Sequence, residues 1–173
     1  MSIHIIIDGY NLIRQSQRLS ILDLQDIQLG RDTLVDMLAV YKKVKSHRIT
    51  VVFDGDTAPL FSQQRDRRKG ISIIFSRKGE SADTVIKKMA RKERQAALVV
   101  SSDQDIVQSA AASGAATVSA HDFENKLRMS MDIGGFQIDR DDYKGWQPTT
   151  KKKGPSRRLS KRQRKNSAKI LKL

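Results

Sequence analysis

The 173-residue chain contains no cysteine. Disulfides and thiolate metal sites are thereby excluded, and His4, His47 and His121 are too scattered to suggest a zinc cluster. Any metal is expected to bind through oxygen. Aromatic residues make up only 5% of the chain, so base stacking is not expected to dominate contact with a nucleic acid, and any sequence specificity is expected to be modest. No apolar run approaches the roughly 20 residues that span a bilayer, and the mean hydropathy is −0.51. The first residues lack the basic segment and small-residue cleavage site of a secretory leader. These absences predict a cytosolic protein without membrane association.

Acidic residues are missing from one part of the chain altogether. Residues 143 to 173 hold twelve Lys or Arg and no Asp or Glu, whereas the remaining 21 bases face all 19 acids. The net charge of +14 is therefore mostly a tail. Its run "KKKGPSRRLSKRQRK" carries Lys151, Lys152, Lys153, Arg157, Arg158, Lys161 and Arg162. Such a run repels itself and is expected to be disordered alone and attracted to a polyanion, for which RNA, DNA and an acidic membrane all qualify. The plainer reading is a solvated tail that aids solubility. The Gly and Pro punctuation of "GGFQIDRDDYKGWQPTT" places a boundary near Tyr143, giving a domain over 1–142 and a tail over 143–173.

Short runs rich in Ile and Val are present at residues 3–8, 49–54, 71–75, 97–101 and 115–118, as in strands buried on both faces. Helical spacing of apolar residues lies between them, over 24–46, 81–94, about 103–113 and about 121–131. Alternating strands and helices predict right-handed crossovers and a three-layer α/β fold with a mainly parallel five-stranded sheet, in the order 3-2-1-4-5.

Ligands of open parallel sheets bind beyond the carboxyl ends of the strands, where the strand order reverses. Acids collect at that edge. Asp8 ends the first strand in "IIIDGYNL", Asp54 ends the second in "VVFDG", and Asp103 follows the fourth in "VVSSDQD"; "GESADTV" puts Glu80 and Asp83 at a helix start. Asp8 and Asp103 would face each other across the switch point. Like charges in one crevice call for a cation, and hard oxygen ligands suit Mg²⁺ or Mn²⁺. Such a site would act on a phosphodiester. Gly9 would permit a sharp turn, and Asn11 could hold a water or a phosphate without adding charge.

Ordinary roles exist for the same acids. Asp83 could favour a helix N-terminus and pair with Lys87, Ser102 and Asp105 fit a capping box, Asp54-Gly55 could be a strand-ending turn, and Asp103 could serve a helix start.

In their order, "IIIDGYNL", "VVFDG", "GESADTVI" and "VVSSDQDI" resemble the YacP-like branch of NYN-domain proteins, over residues 3 to about 130. The resemblance implies a PIN-like nuclease fold and metal-dependent cleavage of RNA, as an endoribonuclease. Asp8, Asn11, Asp83 and Asp103 match the acidic-site pattern, with Asp54 and Glu80 as further ligand candidates. It also implies a link to bacterial RNA turnover, with the ribosome as a partner. The second aspartate of "SDQD" is a departure that leaves open whether Asp105 joins Asp103.

Phosphate contacts are expected from basic residues near that edge: Arg65, Arg67, Arg68 and Lys69 in "QQRDRRKG", and Arg77 and Lys78 in "SRKGE". A solvated loop face is the plain alternative for the first cluster. Two competing functions remain. One is a catalytically inactive RNA- or ribosome-binding protein of the same fold. The other is a phosphoryl hydrolase with an aspartyl nucleophile, which would want D-x-D after the first strand, where this chain has "DGY".

Overall fold

The computed structural model describes residues 3–57, 65–133 and 160–173. Strand β1 (His4–Asp8) is buried along its whole length. Its side chains alternate: Ile5 and Ile7 join one core cluster, and Ile6 the other, as the two-residue period of a strand requires. Parallel neighbours flank it on both sides, β2 (Arg48–Phe53) and β5 (Ala97–Val100), with Ile7 in register with Val51 and Val100. Outside these lie β4 (Ile71–Phe75), parallel to β2, and β6 (Ala116–Val118), parallel to β5.

The sheet has six strands rather than five, and its order is β3-β4-β2-β1-β5-β6. The additional member is an antiparallel edge strand, β3 (Arg65–Arg68), within the segment expected to be a basic loop. It turns into β4 through Lys69 and Gly70, whose φ angles are +50° and +80°. Two consecutive positive φ values suit the two-residue hairpin turns that match strand twist.

The helices form two layers. Helices α1 (Gly9–Gln15), α2 (Gln17–Gln25), α3 (Ile27–Val44) and α6 (Ala120–Ile133) lie over Ile5, Ile7, Val51, Phe53, Leu98 and Val100. On the other face, Ile86 and Ala90 of α4 (Ala82–Glu93) and Ile106 and Ala110 of α5 (Gln104–Ala112) cover Ile6, Val52 and Val99. Within residues 9–44, one polar residue both ends a helix and opens the next. Ser16 closes α1, and its Oγ accepts from Leu19 N of α2; Asp26 closes α2, and its Oδ1 accepts from Gln28 N of α3 at 2.7 Å.

The described part of the tail, residues 160–173, carries one helix. Ser160 opens α7 (Lys161–Ile170) with a reciprocal capping box to Gln163. Leu173 is buried in the main core with Ile170 packed against it, and Tyr41 donates its hydroxyl to the Leu173 carbonyl at 3.2 Å. The charge of the whole tail masked these two apolar anchors, three residues apart. The boundary expected near Tyr143 lies outside the described residues, as do Lys151, Lys152, Lys153, Arg157 and Arg158. No helix among the described residues is long and apolar enough to cross a membrane.

Candidate active site

Asp8 stands at the carboxyl end of β1 and serves as the N-cap of α1, its Oδ1 accepting from Asn11 N at 3.2 Å. A cap ordinarily sits in water, but this one is 8% exposed. Its other oxygen accepts from Ser101 Oγ at 3.2 Å, and the same hydroxyl oxygen accepts from Asp103 N at 3.1 Å. Asn11 returns the link, its Oδ1 accepting from Ser102 N at 2.9 Å. The turn after β1 and the turn after β5 are thus stitched together by Asp8, Asn11 and Ser101. Asp103 caps α5, accepting from Asp105 N at 2.8 Å and Ile106 N at 3.3 Å.

Burial pushes the Asp8 carboxyl up to about 6, against the lowering effect of its Asn11 and Ser101 hydrogen bonds; the charges of Asp83 and Asp103 push it further up. Asp83, in the first turn of α4, is also raised, by burial first and then by Asp103, with Lys87 acting against both. These three carboxylates therefore share one electrostatic neighbourhood. Asp83 does not cap its helix: Ser81 does, accepting from Thr84 N.

Other expected members are engaged elsewhere. Glu80 is held by Lys88 at 2.6 Å, and that contact keeps its carboxyl below the usual range. Asp54 sits in the turn after β2, where Ser76 Oγ donates to it at 3.4 Å. The Ser102–Asp105 capping box does not form, because Asp103 is the cap, Ser102 Oγ accepts from Ala120 N, and Asp105 pairs with Lys87. Among the described residues, no three acids or histidines form a group that could enclose a metal ion.

Gly9 matters for a reason other than a turn. A Cβ there would lie 2.3 Å from Phe53 Cε1, so the absent side chain lets α1 leave β1 directly over the Phe53 ring. Tyr10 packs edge-on against that ring, and its hydroxyl accepts from Arg31, which is buried among Tyr10, Phe53 and Phe75. The aromatic pattern gave no sign of this seat. Ser101 was also missed; its signal is a hydroxyl directly after an apolar strand, two residues before an acid.

Of the basic candidates, Arg68 pairs with Asp66 and Asp32, and Lys69 with Asp36 at 2.6 Å. Arg65 and Arg67 lie exposed on β3, and Arg77 and Lys78 are exposed between β4 and α4. Lys161 and Arg162 begin α7.

The model of the YacP-like NYN domain matches residues 5–172. The chain belongs to the YacP-like NYN domain family. This NYN domain is 29% identical over 87 residues to "Uncharacterized protein YacP" of Bacillus subtilis; the match spans 50% of the chain and 51% of that protein, about half the length of this curated relative. The crystal structure of Rae1 (YacP) from Bacillus subtilis is similar to it with a TM-score of 0.63, at 26% identity over 77% of each chain. A crystal structure of a tryptophan-to-leucine mutant of the same Rae1 gives 0.64, at 25% identity over 77% of this chain and 79% of that one. The NYN domain is nuclease-like as a family.

Proposed function

We propose that this NYN domain is a Mg²⁺- or Mn²⁺-dependent ribonuclease that hydrolyses RNA phosphodiester bonds, cutting within the strand. The observation that carries the reading is the juxtaposition at the β1–β5 switch point. A buried carboxylate, Asp8, is fixed by two hydrogen bonds and raised first by its burial and then by the charges of Asp83 and Asp103. Burying such a group costs stability unless something offsets it.

The donor set fits a hard cation. Mg²⁺ needs only one or two carboxylates, with waters and substrate phosphate oxygens completing its shell, so a closed three-acid cage is not required. Asp8 and Asp103 would hold it, with Asp83 supplying further negative charge. When bound, it would supply charge stabilisation at the phosphodiester and a more acidic water. The chain's own part is positional. Ser101 holds Asp8 and the Asp103 backbone together, and Asn11, with its oxygen committed to Ser102, presents amide N–H donors suited to a phosphate oxygen. Exposed Arg65, Arg67, Arg77 and Lys78 would contact the RNA backbone.

The competing reading, an inactive RNA- or ribosome-binding protein, draws on the basic surface and leaves the buried cost of Asp8 unexplained. Incubation of linear and circular RNA, and of DNA, with Mn²⁺, Mg²⁺ or EDTA tests the choice. Cation-dependent cutting of circular RNA, lost in Asp8→Asn, is the expected result. Absence of cutting with any cation would favour the binding protein, and a preference for DNA would overturn the substrate.

A further inference from the structure

Lys87 stands among these carboxylates, and neither the acidic-site pattern nor the fold calls for a cation there. It follows Asp83 by one turn of α4, on the same helix face. The ammonium nevertheless pairs across the crevice with Asp105 of α5. Its side chain is 20% exposed, against 66% for the neighbouring Lys88, so the covered stem delivers the charge to a fixed place. Asp105 is a loose anchor, with 77% of its side chain in solvent. Ion pairs with so exposed a partner contribute little to stability, and the contact is readily exchanged. The Lys87 charge is felt by Asp83, and Asp105, Asp83 and Asp103 are in turn felt by Lys87.

We propose that Lys87 is a phosphate-binding residue of this crevice: it rests on Asp105 in the substrate-free chain and turns to a backbone phosphate when RNA enters. The inference rests on the ribonuclease reading and adds a residue to it. Three carboxylates repel a polyanion. A divalent cation offsets two of the charges on Asp8, Asp83 and Asp103, and Lys87, on leaving the solvent-exposed Asp105, brings a further positive charge to where an RNA phosphate would approach. A lysine suits this role because its ammonium is a point charge on a flexible stem that can change partners.

The test uses the full chain with Lys87→Met and Lys87→Arg, after thermal melting has checked that each is folded. Binding of a short single-stranded RNA is measured at several salt concentrations with Ca²⁺ in place of Mn²⁺, so that the crevice holds a divalent cation, Mn²⁺ binding without RNA by calorimetry, and KM and kcat separately. One phosphate contact contributes about 0.7 to the slope of log affinity against log salt, or about fivefold for each tenfold drop in salt. Lys87→Met is expected to lose that slope, to raise KM by about the same factor, and to bind Mn²⁺ more tightly because a competing cation is gone. Lys87→Arg is expected to restore the slope. A merely structural lysine would move none of these at constant fold. An unchanged RNA affinity and salt slope in Lys87→Met would overturn the proposal even where the wild type cleaves RNA. A wild type that binds RNA through Lys87 without cutting it would instead overturn the ribonuclease reading alone.

Discussion

Replacing Asp8 with asparagine is expected to make the protein more stable at neutral pH while abolishing the proposed cation-dependent cleavage. The carboxyl is raised from 3.8 to about 6 in the folded chain, a shift of about two units, and one unit corresponds to 1.36 kcal/mol. The folded state thus holds the Asp8 proton more tightly than the unfolded state does. Stability falls as pH rises from about 4 to about 6, and a cost of about 3 kcal/mol persists above that range. Asparagine carries no charge to bury, keeps an oxygen to accept from Asn11 N, and can donate to Ser101 Oγ. At pH 7.5 the variant is therefore expected to melt later, at about 2–4 °C per kcal/mol for a domain of this size, and near pH 4 the two curves converge. Added Mn²⁺ is expected to raise the wild-type midpoint by mass action and to move the variant less. Melting curves from pH 4 to 8, with and without Mn²⁺, supply the measurement. A variant less stable than wild type at pH 7.5, or a difference independent of pH, would refute the reasoning.

Other substitutions separate site from scaffold. Asp83→Asn is expected not to lower the melting midpoint at neutral pH, because Ser81 and not Asp83 caps α4 and the charged Asp83, raised by burial and by Asp103, costs stability, while the proposed cation-dependent RNA cleavage falls; comparing the two readouts checks this. Gly9→Ala must push the Phe53 ring or α1 aside, a strain of about 1–3 kcal/mol, visible as a lower urea midpoint with unchanged m. At the opposite edge, Glu93 accepts from buried His4 and from Arg48, and burial, the largest influence on His4, holds its proton affinity down. Glu93→Gln is expected to cost about 1.5–3 kcal/mol through lost charge-assisted hydrogen bonds, read by denaturant titration. Removal of residues 160–173 is expected to lower the melting temperature, since full burial of one Leu contributes about 1.5–3 kcal/mol, and to flatten the salt dependence of RNA binding.

Most of the fold was legible because its determinants are local. Ile-Val runs bounded by turns mark β1, β2, β4, β5 and β6, and periodic apolar residues mark α3 to α6. What escaped was set by tertiary contact. Helix α1 is too short for periodicity to register and α2 buries only Leu19, so both are defined by Ser16 and Asp26 acting as double caps. Strand β3 consists of "RDRR", which has no strand propensity, and it is a strand because Ile71–Phe75 lies beside it. At the site, Asp8 and Asp103 could be paired from topology alone. The hydrogen bond of Ser101 to Asp8 and the pairing of Lys87 with Asp105 of α5 could not be read that way, since each is set by side-chain contact between elements and not by strand order.

Strand β3 has a consequence for behaviour in concentrated solution. An outermost strand offers unpaired backbone groups to any similar edge, the usual start of intermolecular sheet growth. Among the described residues this edge carries three arginines, Arg65, Arg67 and Arg68, against one acid, Asp66, so two molecules meeting edge to edge would bring together surfaces of net positive charge. Charge of one sign on an edge strand is expected to oppose β-stacking between copies. That opposition is electrostatic: at 1 M salt the Debye length shrinks to about 3 Å, so high ionic strength favours self-association through this edge without first unfolding the domain.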